Sequence, residues 1–296
     1  MSTQASQSPL TLLSPAKVNL FLNITGKRPD GYHELETIMV PLDFGDTITL
    51  HLRPTGTELE CDNPNLPVDE TNLALRAARA LETKFRPGKG AQIILTKRTP
   101  LAAGLAGGSS NAATVLTGLN RLWQINAPVE ELDPVAASMG SDINFFLRSR
   151  AAICRGRGER VEPIACRLSA TVLLINPGFG ISTKWAYQSW AESARTLTAK
   201  PPDITLLARA LAADDLAGVS RLLYNSLEAP SVNKFPVLDL LKQALRDGGA
   251  AGALMSGSGA TVFGLFAKRS DAETTAQRIR ARFGPSMWTQ ACRIAT

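Results

Sequence analysis

The longest stretch of the chain without a charged side chain runs from Thr99 to Asn120. A bilayer span takes about 20 predominantly apolar residues, so the length invites that reading. The composition forbids it, because the stretch holds four glycines, two serines, two asparagines and three threonines. It follows a strand-like run at 92–97 and leads into a helical pattern that reaches residue 124. Its Gly-dense part, Pro100-Leu101-Ala102-Ala103-Gly104-Leu105-Ala106-Gly107-Gly108-Ser109-Ser110, is thus a strand-to-helix connection. Glycines let a backbone approach a ligand closely. The start of the following helix offers unpaired N–H groups and a partial positive charge, and together these make a phosphate cradle. The plainer alternative is a small-residue loop with a serine N-cap. No GxxxxGK[ST] and no GxGxxG pattern occurs, which excludes a P-loop and a dinucleotide fingerprint.

The rest of the composition narrows the chemistry. The 296 residues are 44% hydrophobic, an ordinary globular makeup, and the length suits two domains. Lys+Arg 32 against Asp+Glu 26 gives +6, which suits an anionic small molecule as well as a nucleic acid. Cys61, Cys154, Cys166 and Cys292 lie far apart with no CxxC pair, so reduced thiols in a cytoplasmic protein are expected. With only His33 and His51 present, multi-histidine metal sites are excluded. No basic side chain precedes Lys17, so no signal peptide is expected.

Strands are predicted at 10–13, 18–24, 35–42 and 47–52, with turns at 27–31 and at Asp43-Phe44-Gly45-Asp46. A helix is predicted at 71–85, stopped by Pro87-Gly88, and a hairpin at 151–164 around Gly156 and Gly158. From residue 171 the pattern changes to strand 171–176, helix 183–195, helices near 203–224, helix 236–247, strands 252–255 and 261–267, helix 271–283 and strand 287–294. That alternation suggests an α+β sandwich of the split βαβ kind, with a domain boundary near residue 168.

Three further segments carry polar groups in unusual places. Lys17 and Asn19 alternate on a strand and so share a face. They are either a solvated edge or a buried polar pair, and the second is costly unless satisfied. Asp142, in Gly140-Ser141-Asp142-Ile143-Asn144-Phe145-Phe146, is either a helix cap or a carboxylate that accepts a hydroxyl proton. Met255-Ser256-Gly257-Ser258-Gly259-Ala260-Thr261 is a Gly/Ser turn between strands. It is either a plain hairpin or a turn whose N–H groups line a ligand cleft.

In order and spacing, these four segments together resemble the GHMP kinases, over about residues 10–290. Asp30-Gly31-Tyr32-His33 makes the chain similar to the branch that phosphorylates a cytidine-diphosphate-linked methylerythritol in non-mevalonate isoprenoid synthesis. The resemblance implies a two-domain α+β fold, with a ribosomal S5 domain 2-like N-terminal domain (1–167) and a ferredoxin-like split βαβ C-terminal domain (168–296). It implies ATP-dependent phosphorylation of the 2-hydroxyl, with Asp142 as base and Lys17 holding it ionised and orienting the hydroxyl. Residues 100–110 would hold the triphosphate, with Ser109 near Mg²⁺. Asn19, Tyr32, His33, Thr183 and Tyr187 would line the substrate pocket. There His33 would read cytosine, and Tyr32 and Tyr187 would stack on its two faces. The expected partners are small molecules only, without nucleic acid or membrane, for a cytoplasmic monomer or weak homodimer.

Ala103 and Ala106 stand where the most Gly-dense versions of the loop have glycine. A methyl group disfavours φ > 0, so the required freedom is expected at Gly104, Gly107 and Gly108. Phosphoryl transfer needs mainly positioning and charge neutralisation, which one Lys, one Asp and a Gly-rich loop can supply. A homoserine or mevalonate kinase is the near alternative, although neither acceptor has a base for Tyr32 and His33. An RNA-binding module using the basic hairpin Arg155-Gly156-Arg157-Gly158-Glu159-Arg160 is the distant one. Against it, no aromatic flanks that hairpin in the sequence.

Overall fold

The computed structural model describes residues 8–193 and 200–295. The chain start and the predicted end of the helix at 195 lie outside those residues. In chain order the elements begin with β1 (Leu10–Lys27), β2 (His33–Arg53), β3 (Thr57–Cys61), α1 (Leu73–Phe85), β4 (Gly90–Thr96) and α2 (Gly107–Leu122). Next come α3 (Val129–Met139), α4 (Ile143–Arg148), β5 (Ala152–Gly156), β6 (Arg160–Pro163), β7 (Thr171–Asn176) and α5 (Thr183–Ser193). The last part holds α6 (Ile204–Ala212), α7 (Leu216–Arg221), β8 (Tyr224–Asn225), α8 (Glu228–Lys234), α9 (Val237–Asp247), β9 (Gly252–Met255), β10 (Val262–Phe266), α10 (Arg269–Phe283) and β11 (Trp288–Arg293).

Two long strands replace the four short ones expected at the start, and the predicted turn at 43–46 is part of β2. The reason lies at Gly45. A Cβ there would meet Ser14 O at 2.0 Å and Pro15 Cα at 2.6 Å. Glycine is present because another strand's backbone lies against it, not because the chain reverses. β3, α3, β8 and α8 were not anticipated. Residue 224 of the predicted 203–224 helical region is in β8.

The chain divides into two compact units, each assembled from three stretches. The first takes residues up to Ala16, then Gly45–Thr99 and Gly107–Ser149. There, Thr47–Arg53 of β2 runs antiparallel to β4, and β3 runs parallel to β4 on its other side. Asn72 caps α1 by accepting from Ala74 N at 2.9 Å, and the helix ends with Arg86 in the left-handed region before Pro87. Buried Leu75, Leu81, Leu116 and Leu119 of α1 and α2, with Leu50 and Ile93 of the strands, belong to the core of this unit. Gly118 of α2 sits close to Leu50, where a Cβ would be 2.5 Å from Cδ1.

The second unit takes Lys17–Phe44, Pro100–Ala106 and Arg150–Thr296. β5 pairs antiparallel with β2 and β6, and the short β8 pairs parallel with β1. A separate four-stranded sheet has the order β11-β7-β10-β9 with every pairing antiparallel. β7, the first of these strands in the chain, lies between β10 and β11 with β9 at the edge, and α10 connects β10 to β11. This is the split βαβ arrangement. Leu173, Ile175, Val262 and Phe266 of this sheet bury against Leu241, Leu245, Ala276 and Ile279 of α9 and α10.

Candidate active site

In the first unit, the start of α2 rests on a buried polar cluster centred on Asp46. Asp46 Oδ1 accepts from the N–H groups of Arg98 and Thr99 and from Thr99 Oγ1, each at 2.8 Å. Oδ2 takes the Lys97 ammonium and, at 3.0 Å, Asn111 Nδ2. Asn111 Nδ2 also donates to Ser14 Oγ at 2.9 Å, and Ser14 Oγ donates to Ser110 Oγ at 2.9 Å. Burial would push the Asp46 carboxyl up, but the Lys97 ammonium and the donated N–H groups outweigh it and hold it below the usual carboxylate range. A Cβ at Gly107 would fall 2.6 Å from Thr99 Oγ1 and 3.3 Å from Lys97 Nζ. The glycine lets the first turn of α2 settle on the cluster.

That corrects the conformational argument for the loop. Gly107 and Gly108 are helical; the left-handed positions are Ala102 (φ 51), Gly104 (φ 78) and Ala106 (φ 55). Ala106 therefore takes the positive φ that its methyl group was expected to exclude. A non-Gly residue in this region costs of order 1 kcal/mol, which the surrounding contacts offset. Gly104 is needed for a second reason, since a Cβ there would be 2.1 Å from Ser256 O.

The Gly140 turn lies by the same helix start, with its Cβ position 4.0 Å from Ser109 Oγ. Asp142 follows at the mouth of α4, half-buried, and its carboxylate makes no cap bond to that helix. The capping alternative is thereby removed.

In the second unit, Lys17 and Asn19 are each 3% exposed, so they are a buried polar pair and not a solvated edge. Lys17 Nζ donates to Asn19 Oδ1 at 2.6 Å and to Gly104 O at 3.0 Å. Asn19 Nδ2 donates to Thr37 Oγ1 at 2.9 Å, and the Thr37 hydroxyl passes its hydrogen to Phe21 O. Ser256 Oγ donates to Gly104 O at 3.0 Å, and Gly257 (φ 56) lies so near that its Cβ would be 3.3 Å from Lys17 Nζ. The Gly/Ser turn, Gly104 of the Gly-dense loop and the strand lysine are one packed cluster. Thr183 joins the far end of the turn, 3.2 Å from Ser258 Oγ.

His33 stacks on Tyr187 with ring centroids 5.2 Å apart and meets the edge of Trp190 at 5.7 Å. Its Nε2 is buried and has no hydrogen-bond partner among the described residues. Burial, and then the charge of Lys27, hold the imidazole below its usual pKa, so it is neutral at pH 7. Tyr32 is 56% exposed and lies against the Arg157 guanidinium, 5.0 Å from the ring centroid. The basic hairpin thus does have an aromatic neighbour, brought from the β1–β2 turn. Its charges are also paired: Arg155 with Glu36 and Glu162, Arg160 with Glu34.

Sequence reasoning missed Asp46, Lys97, Thr37 and Trp190. An acid directly after a strand glycine was the available signal for Asp46, and it was absorbed into a supposed turn.

Residues 72–149 match the model of the GHMP kinases N terminal domain, and residues 207–285 match that of the GHMP kinases C terminal domain. A 4-diphosphocytidyl-2-C-methyl-D-erythritol kinase of Synechococcus sp. (strain JA-3-3Ab) is 44% identical over 262 residues, covering 87% of this chain and 85% of that protein. This chain belongs to the GHMP kinase family. A similarly named enzyme from Bacillus pumilus (strain SAFR-032) is 41% identical over 253 residues, covering 85% of this chain and 86% of that protein. A crystal structure of a 4-(cytidine 5'-diphospho)-2C-methyl-D-erythritol kinase superimposes with a TM-score of 0.80 at 34% identity, covering 97% of this kinase and 100% of that chain. The two-domain α+β GHMP kinase fold and the class of small-molecule kinase follow. No helix among the described residues is long and apolar enough to cross a membrane.

Proposed function

We propose that this kinase transfers the γ-phosphoryl group of ATP to the 2-hydroxyl of 4-diphosphocytidyl-2-C-methyl-D-erythritol, a step of non-mevalonate isoprenoid synthesis. Asp142 takes the hydroxyl proton. Lys17, held by Asn19 and Gly104, supplies the fixed positive charge that phosphoryl transfer requires. The loop 100–106 and the N–H groups at the start of α2 receive the triphosphate.

The observation that carries the substrate choice is the buried, unpartnered Nε2 of neutral His33, stacked on Tyr187. A polar atom placed this way is satisfied by the edge of a nucleobase, and neither homoserine nor mevalonate has one. In this reading Tyr32 and Tyr187 supply aromatic surface to the cytosine, and Asn19 and Thr183 border the same substrate.

The described residues hold no cluster of three or more His, Cys, Asp or Glu suited to a metal. Mg²⁺ fits such a site, because it is commonly held by substrate phosphates, water and one or two protein oxygens. Ser109 is the side chain that would hold it; Ser110 is fully buried and bonded to Ser14. When bound, the ion neutralises charge on the phosphates. None of the four cysteines is joined in a disulfide, and we read the setting as cytoplasmic. We read the kinase as a monomer or weak homodimer serving small molecules alone.

The test is ATP consumption with a panel of acceptors: the cytidine-diphosphate alcohol, its uridine counterpart, homoserine and mevalonate. Turnover with the first alone is expected. Turnover with homoserine or mevalonate and not with the cytidine compound overturns the assignment.

A further inference from the structure

Two side chains outside every motif described above converge on the Gly257 turn. Asn225, on β8, donates from Nδ2 to both Met255 O and Gly257 O at 2.8 Å. Its Oδ1 accepts from Leu227 N at 2.9 Å, which orients the amide so that the nitrogen faces the turn. Glu228, at the start of α8, holds the turn through another atom: Oε1 accepts from Met255 N at 2.9 Å. Its Oε2 meets the Lys242 ammonium at 2.9 Å, and Asp239 stands 3.7 Å from the same ammonium. Asn225 and Lys242 are each 7% exposed, so these bonds are made away from competing water.

The placement has a consequence for Lys17. Ser256 N already closes the hairpin onto Thr261 O at 2.9 Å, so the side-chain clamps are not needed to form a turn. They fix where it lies. Ser256 holds Gly104 O, and Gly257 crowds the Lys17 ammonium. Asn225 is also keyed to the strand that carries Lys17 and Asn19, through the parallel pairs Phe21↔Tyr224 and Leu22↔Asn225. One residue thus takes its position from β1 and imposes it on the turn.

We infer that Asn225 and Glu228 are positioning residues of the kinase, which hold Met255–Gly257 in the register that confines the Lys17 ammonium and the Gly104 carbonyl. The inference rests on the proposed role of Lys17 in phosphoryl transfer. Misplacement of a reacting group by about 1 Å can cost about a hundredfold in rate.

The experiment compares kcat per folded molecule, with thermal melting recorded alongside, using whichever acceptor of the panel the wild type phosphorylates. Asn225→Asp keeps the acceptor for Leu227 N but sets a carboxylate oxygen against two carbonyls; kcat is expected to fall at least tenfold. In a second pair, E228Q/K242M retains an acceptor for Met255 N without leaving a buried charge, whereas E228L/K242M has none. The first is expected within about threefold of wild-type kcat and the second at least tenfold below it. A purely structural role would lower melting temperature and yield but leave kcat per folded molecule unchanged in all three, and that result overturns the inference. If Asn225→Asp fails to fold, equal kcat for the two double variants overturns it alone. A wild type active only on homoserine or mevalonate overturns the substrate assignment instead, and the same comparison still decides this point.

Discussion

Lys17 donates its ammonium to Asn19 Oδ1 at 2.6 Å, two residues further along the same strand. A lysine this deeply buried would normally shed its charge or find a carboxylate. Among its contacts here are the neutral oxygens of Asn19 and Gly104, which orient the ammonium without themselves cancelling its charge.

Replacing Lys17 by Met keeps the length of the side chain and removes that charge. We expect a fall in kcat for Lys17→Met, and for Asp142→Asn a fall of about 10²–10⁴. ATP affinity should be nearly unchanged in the Asp142 variant. Steady-state kinetics and nucleotide titration check both, and wild-type turnover by Asp142→Asn removes it as the base.

Adjacent glycines at the start of α2 should behave differently. A methyl group at Gly107 meets Thr99 Oγ1 at 2.6 Å, whereas at Gly108 its nearest neighbour is Leu73 Cδ1 at 3.7 Å. Gly107→Ala should therefore lower both stability and nucleotide affinity. Gly108→Ala should leave the unfolding midpoint in place, so any loss of ATP binding there reports the approach of the ligand. Urea unfolding and ATP titration on both variants separate the two effects.

Asp46→Asn leaves the buried Lys97 without its counter-charge, a change that typically costs about 3–5 kcal/mol. The folded-state pKa of Asp46 lies below its ordinary value. Its contribution to stability is thus present above the unfolded carboxylate pKa of about 3.9 and is lost as pH falls through the lower folded value. The gap in urea stability between wild type and Asp46→Asn should be full at pH 7 and shrink below pH ~4. A constant gap across that range would show that Asp46 is not acting through its charge.

The nucleobase reading makes a kinetic prediction. Stacking is worth about 1–3 kcal/mol per base, so Tyr32→Ala should weaken the cytidine substrate roughly ten- to a hundredfold and spare ATP. His33→Ala should lose much of the preference for cytidine over uridine. Because the imidazole is held neutral, wild-type kcat/KM should show no His33 titration at pH 7 and fall only once acid protonates it, below about 6.5. Unchanged base preference in His33→Ala would mean that the residue only packs against Tyr187 and Trp190.

Local chemistry in the sequence determined much of this protein. Period-2 and period-3.6 patterning located β7 at Thr171–Asn176 and α9 near Val237–Asp247, and Pro87-Gly88 marked the end of α1. Alternation alone put Lys17 and Asn19 on one face. The family followed from four short segments whose residue types suit phosphate binding and proton transfer. What the tertiary structure decided were matters of distance between segments far apart in the chain. A linear boundary near 168 marks where the pattern along the chain changes, while the compact units are set by which stretches pack together, so each draws on three of them. Gly45 reads as a turn residue until Ser14 is placed against it, and Gly107 reads as a φ > 0 residue until Thr99 is placed beneath it. Asn225 and Glu228 have no local signature, and the acid after Gly45 that marks Asp46 reads as part of a turn, because a buried polar side chain is defined by the partners that satisfy it. Those partners come from the segment after β4 and from α2 for Asp46, and from β9 and its turn for the other two.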